Sequence, residues 1–224
     1  MVISATRIDT LFGGACLVPP SRLAKMDMST RPPLSPAEED DEAALLARYA
    51  QGDAVAARRL TTALTPRLFG HALRVLGDHA EAEDVAQEAM LRLWRIAPAW
   101  RRGEAKVTTW LYRVVANLCT DRLRMRRSTR LDDIDEPADP AAHVEQGLQD
   151  AARADALQRA LDALPHRQRQ AVVLRHIDGL ANPEIAVILD TGVEAVESLT
   201  ARGKRALTQA LIGQRDALGY DHDG

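Results

Sequence analysis

The stretch Asp178–Leu207, DGLANPEIAVILDTGVEAVESLTARGKRAL, constrains this chain more than any other. It reads as two helices with a tight turn between them. Asn182 is placed to cap the first, with Pro183 at its first helical position and Glu184 next. Ile185, Ala186, Ile188 and Leu189 give it an apolar stripe, and Asp190-Thr191-Gly192 breaks it. A second helix starts near Val193, with Val196, Leu199, Gly203, Leu207 and Ala210 at helical spacing. Glu194, Ser198, Ala201, Arg202 and Arg205 fall on its opposite side. This is the layout of a helix-turn-helix, whose second helix presents a polar face to a DNA major groove.

The rest of the chain supports an all-α fold. Aromatics are 4% of the 224 residues, and alanine and leucine, both strong helix formers, dominate. The length suffices for one or two cores. Cys16 and Cys119 form no CxxC pair, so reduced thiols and no zinc site are expected. The same reduced thiols suit a cytoplasmic protein, and no apolar run reaches the length of a membrane span, so no membrane insertion is expected. Leu11–Pro20 is a poor signal peptide, since Gly13-Gly14 interrupts it. Met28-Ser29-Thr30 is a better start than Met1, and residues 1–27 are expected to be dispensable.

The net charge of −3 conceals a sharp asymmetry. Six arginines (113, 122, 124, 126, 127, 130) face Asp121 alone between Arg113 and Arg130. Eight acids (132, 133, 135, 136, 139, 145, 150, 155) then face Arg153 alone up to Asp155. The basic run continues an amphipathic helix and suits phosphate contact. The acidic run beside it is expected to compete with DNA for those arginines.

Periodicity predicts helices over 41–51, 54–64, 66–76, 80–96, 108–127, 150–163, 165–178, 182–190 and 193–213. Two small helical domains follow, 41–127 and 151–213, joined by a flexible acidic linker at 128–150. Residues 1–40 read as a disordered extension or an over-long start, and 214–224 as a frayed tail.

Two helices carry candidate chemistry. In 80–96, Val85, Ala89, Leu93 and Ile96 share a core face, and Asp84, Glu88, Arg92 and Arg95 share a neighbouring one. That second face is either a surface laced with i,i+4 ion pairs or a protein-docking face. In 108–127, Leu111, Val114, Val115 and Leu118 form the core stripe. Thr109, Arg113, Asn117, Thr120 and Arg124 run along the other side, with Trp110 at its edge. Arginine and asparagine suit phosphate and base-edge contacts, and an aromatic beside them can stack on an unpaired base. Arg101, Arg102 and Lys106 precede this helix. The polar group His79, Glu81, Glu83, Asp84 and Glu88 lacks metal-site spacing and reads as a helix start rather than an enzyme centre.

With these residues in view, LGDHAEAEDVAQEAMLRLWR (76–95), GEAKVTTWLYRVVANLCTDRLRMRR (103–127) and LDALPHRQRQAVVLRHIDGLANPEIAVIL (161–189) resemble an extracytoplasmic-function (ECF) sigma factor. These are small two-domain members of the sigma-70 family of bacterial RNA polymerase subunits. The resemblance runs collinearly over about 41–213.

It implies a non-enzymatic initiation factor that needs no cofactor. Its implied partners are core RNA polymerase (β′ clamp helices and β subunit), promoter DNA and an anti-sigma factor. Asp84, Gln87, Glu88, Arg92 and Trp94 fall in the family's polymerase-binding segment. Arg101, Arg102, Lys106, Thr108, Thr109, Trp110, Arg113 and Asn117 fall in the segment that captures and melts the −10 element. Glu194, Glu197, Ser198, Ala201, Arg202 and Arg205 fall in the helix that reads the −35 element. Two departures stand out. Glu197-Ser198-Leu199 replaces a common basic-Ser-Arg triplet, and Val107-Thr108-Thr109 replaces a common Phe-Arg-Thr. The alternative is a stand-alone LuxR-like regulator, for which 41–127 offers no sensor or receiver pattern.

Overall fold

The computed structural model describes residues 36–101, 105–129 and 147–212. Within them lie eight α-helices and no strand. They are α1 (Pro36–Ala50), α2 (Ala54–Leu76), α3 (His79–Ile96), α4 (Val107–Thr129), α5 (Gly147–Asp162), α6 (His166–Val172), α7 (Asn182–Ile188) and α8 (Val193–Ile212). The 1–27 extension, most of the acidic linker and the tail lie outside the described residues.

Local chemistry sets the helix ends of the first bundle. The Asp53 carboxylate accepts from the amides of Val55 and Ala56 at 2.8 and 3.2 Å, capping α2. Arg48 braces it at 2.6 Å and, with these amide bonds, holds its carboxyl below the usual range. Gly77 closes α2 with φ 68°, a left-handed backbone that favours glycine. Asp78 then caps α3 by accepting from the Glu81 amide at 2.9 Å. Of the acids read as a helix start, Glu81 lies in the first turn of α3, and it also takes the Arg126 guanidinium at 2.9 Å.

Several predicted boundaries move. Pro66 does not divide 54–76 into two helices, and α2 runs through it unbroken. Pro66 lacks the N–H that would bond the Thr62 carbonyl, but Thr62 is exposed and water can serve that carbonyl. Leu60, Leu64 and Leu68, buried on either side of Pro66, hold the helix in line. Helix α1 begins at Pro36 rather than 41 and α5 at Gly147 rather than 150. The helix expected over 165–178 is α6 followed by one wide π turn, Val173–Ile177, in which the Asp178 amide reaches back to the Val173 carbonyl at 2.9 Å. Ala181, not Asn182, is the cap of α7. Alanine has no side-chain acceptor, so Glu184 closes the turn by accepting from the Ala181 amide at 3.1 Å.

Leu46, Leu60, Leu64, Leu68, Val85, Leu93, Leu111 and Val115 build one core between α1, α2, α3 and α4. Leu161, Leu164, Val172 and Val173 build a small one between α5 and α6. A further cluster joins Ala171, Leu174, Ile185, Ile188 and Val196 of the second unit to Tyr112 and Ala116 of α4. The helix-turn-helix thus shares its core with the helix that carries the first unit's basic face.

Candidate nucleic-acid interface

Helix α8 presents the cleanest polar face. Its inner side is fixed by Val196, fully buried, and by Gly203, where an added Cβ would meet Val172 Cγ2 at 2.5 Å. That close approach of α6 orients the opposite side outward. Glu194, Glu197, Ser198, Ala201, Arg202 and Arg205 are all exposed there. Arg202 lies back along the helix, donating from Nη2 to Ser198 Oγ at 2.8 Å and from Nε to the Ser198 carbonyl at 3.2 Å. Leu199 is half-buried against the core, as its apolar position requires, while Ala210, expected on that side, is exposed.

The residues on and before α4 divide. Arg101, Lys106, Arg113 and Asn117 are exposed, and Arg102 lies outside the described residues. Thr109 is half-buried. Thr108 is buried, at 6% exposure, because the first turn of α4 folds into the first core beside Val107. Its side chain is therefore no surface group. Trp110 is half-buried and meets Trp100 edge-to-face, with centroids 5.9 Å apart, so the two indoles support each other. Thr120 turns inward, donating to the Ala116 carbonyl at 2.7 Å, and Arg124 is exposed.

The polar face of α3 is laced with ion pairs. Arg92 Nε donates to Glu88 Oε1 at 2.8 Å, and Asp84 lies 3.5 Å from Arg122 of α4. Gln87 is exposed. Trp94 is half-buried against Tyr49 of α1, centroids 4.4 Å apart, which anchors α1 to this face.

Sequence patterns did not show a junction between the two units. His71 Nδ1 lies 2.7 Å from Asp178 Oδ2, the two side chains 0% and 9% exposed. Tyr112 packs edge-to-face on His71, and burial and Asp178 together push its phenol pKa up. Arg169 donates to the Val75 carbonyl at 2.7 Å, Gln158 to the Arg74 carbonyl at 3.2 Å, and Gln170 to the Ala116 carbonyl at 3.0 Å. Arg126, within the first unit, takes the Leu76 carbonyl at 3.0 Å. The last turn of α2 leaves carbonyls without helical partners, and Arg169, Gln158 and Arg126 supply them. Cys119 is buried in the first core, which pushes its thiol up to about 12. Among the described residues no group of His, Cys, Asp and Glu is placed to hold a metal ion, and no helix is long and apolar enough to cross a membrane.

Comparison with known proteins agrees with this layout. Residues 60–129 match the family described as Sigma-70 region 2, and residues 154–207 match Sigma-70, region 4. The ECF RNA polymerase sigma factor SigM of Mycobacterium tuberculosis (strain H37Rv) is 34% identical over 176 residues, spanning 77% of this chain and 86% of that protein. The RNA polymerase sigma-H factor of Pseudomonas aeruginosa is 30% identical, spanning 78% and 94%. Among solved structures, CnrH bound to the cytosolic domain of CnrY superposes with a TM-score of 0.57 at 25% identity, over 77% of this chain and 97% of that one. The sigma factor RpoE of Bartonella quintana, bound to the anti-sigma factor NepR, shares the fold with a TM-score of 0.56 at 22% identity, over 69% and 96%. The chain belongs to the ECF sigma factors of the sigma-70 family. Both helical units match sigma regions, so a LuxR-like regulator is not favoured.

Proposed function

We propose that the two helical units divide promoter recognition between them. The unit over 41–127 binds core polymerase and the −10 element, and the unit over 151–213 reads the −35 element. One observation carries this reading. Helix α8 buries Val196 and Gly203 while leaving the whole Glu194–Arg205 face open to a groove. Arg113 and Asn117, one turn apart and exposed on α4, serve the −10 strand, with Arg101, Arg102, Lys106, Thr109 and Trp110 around them. Asp84, Gln87, Glu88 and Arg92 meet the polymerase, and Trp94 shapes that face from below. Thr108 acts through packing rather than contact.

The protein acts as an initiation subunit and not as a catalyst, in the cytoplasm where polymerase and DNA lie. An anti-sigma factor is its regulator in this reading. The support is that similar folds have been solved with NepR and with the cytosolic domain of CnrY.

A small promoter library transcribed with mutant holoenzymes tests the assignment. Residues near a recognition helix's N-terminus reach base edges, and later ones meet the backbone. Arg202→Ala should change −35 preference, at about 1–3 kcal/mol on the best site. Arg205→Ala should weaken all sites alike. Unaltered −35 preference in Arg202→Ala and in Glu194, Glu197 and Ser198 variants would remove α8 from base reading.

A further inference from the structure

Two cations assigned to the −10 element are already paired, and both partners come from the helix-turn-helix. Lys106 Nζ lies 3.1 Å from Glu184 Oε1 of α7. Arg113 Nη2 lies 3.9 Å from Asp190 Oδ1, in the turn between α7 and α8. On the same helix as Arg113, Tyr112 and Ala116 of α4 are 1% and 2% exposed, covered by the second unit. We propose that the helix-turn-helix is an internal competitor for the DNA that α4 binds. Docked on the first unit, it offers carboxylates where phosphates would go and covers the Tyr112–Ala116 side of α4. The buried His71–Asp178 contact holds it there.

The burial pattern assigns the parts. The rim pairs are exposed, Lys106 at 51% and Arg113 at 48% of their side chains, and such pairs are individually weak. They compete with phosphate without locking the chain. The centre differs. His71 and Asp178 are shut away from water, and pulling the units apart exposes both together with Tyr112. Gln170, 3% exposed, is bonded to the Ala116 carbonyl at the same seam. These polar contacts lie beside the apolar cluster that Tyr112 and Ala116 form with Leu174, Ile185 and Ile188, so the centre of the seam is mixed in character. The −35 face of α8 and the polymerase face of α3 both stay exposed in the docked arrangement. Of the three candidate binding faces, that of α4 is the one the second unit's carboxylates meet.

This inference rests on the reading of α4 as the −10 helix. The full chain is the material for the test, and a fluorescein-labelled single-stranded DNA oligonucleotide at low salt is the probe. Glu184→Gln with Asp190→Asn removes both rim carboxylates. Gln keeps an acceptor for the Ala181 amide, and Asn tolerates the left-handed backbone of Asp190, φ 49°. The expected result is roughly a fivefold gain in oligonucleotide affinity as the two competing carboxylates are neutralised. Asp155→Asn with Glu83→Gln removes the same charge elsewhere and should gain clearly less.

For the centre, His71→Asp and Asp178→His should each enlarge the radius of gyration by small-angle scattering. The double exchange should restore compactness, with thermal melting showing that each variant is folded. An equal gain in the charge control, or a chain extended before any substitution, would overturn the proposal. If Lys106→Ala and Arg113→Ala leave oligonucleotide affinity unchanged in the opened variant, the assignment of α4 fails instead.

Discussion

The Arg169 guanidinium donates to the Val75 carbonyl oxygen at 2.7 Å and to Asp162 Oδ1 at 2.8 Å, so one side chain closes its own unit's corner and caps a helix of the other. Val75 is in the last turn of α2, where the helix dipole is negative and carbonyls need donors. Arg169→Met keeps the stem's packing and removes the donors. We expect a loss of about 1.5–3 kcal/mol, the range for hydrogen bonds from a charged group. Chemical denaturation measures it, and a change under ~0.5 kcal/mol would show that water replaces the guanidinium fully.

Gly203→Ala should destabilise the second unit, although alanine is the better helix former by about 1 kcal/mol. The new Cβ would lie 2.5 Å from Val172 Cγ2 and 3.3 Å from the Gln168 carbonyl. Valine has little rotamer freedom, so α6 and α8 must separate, at about 1–3 kcal/mol. Pairing it with Val172→Ala should recover part of the loss. A melting temperature for Gly203→Ala at or above wild type would refute the close approach.

Reversing Glu88 or Arg92 should leave the fold intact and weaken polymerase binding. The pair is on the surface of α3, and such i,i+4 pairs contribute about 0.3–0.5 kcal/mol. The double reversal Glu88→Arg with Arg92→Glu restores the ion pair but inverts the face. We expect it to melt like wild type and still fail to co-purify with core polymerase. Recovery of binding in the double variant would mean that the pair matters only for the helix.

Acid should loosen the molecule through His166. Burial, followed by nearby Arg169, Arg167 and Arg127, pushes its imidazole down to about 4, from an ordinary value near 6.5. The folded chain thus binds fewer protons at this site than the unfolded chain between those values. The stabilisation is complete above pH 6.5 and drains away as pH falls towards 4. His166 Nε2 lies 3.5 Å from Thr120 Oγ1 of α4, which places the titrating group at the junction between the units. Thermal melts of wild type and His166→Gln across pH 7 to 4 should converge as pH falls. Parallel curves would remove His166 as a source of acid sensitivity.

What was legible in the sequence was what depends on neighbours along the chain. The α8 face follows from 3.6-residue spacing, and the structure keeps Glu194 to Arg205 outside for that reason. The collinear blocks that resemble sigma regions carried the family. Boundaries failed where a long-range contact outweighed a local signal. Pro66 reads as a break, yet Leu64 and Leu68 hold α2 straight across it. Thr108 reads as a −10-binding residue at the start of the helix over 108–127, yet the first turn of α4 folds into the core and buries it. Tyr112 and Ala116 are the clearest omission. They occupy no stripe that the first unit's core explains, because what covers them lies beyond the linker. His71 and Asp178 are separated by more than a hundred residues, and no spacing rule links them.

The rim pairs change what salt dependence would measure. Binding DNA ordinarily releases one condensed counterion for roughly each phosphate a protein cation neutralises. Lys106 and Arg113 begin with Glu184 and Asp190 as their counter-charges. When phosphates displace those carboxylates, the carboxylates take up ions from solution, and the net release falls by about two. A salt titration of the closed chain would then undercount its phosphate contacts. The shortfall would be a count of how many cations the helix-turn-helix had been holding.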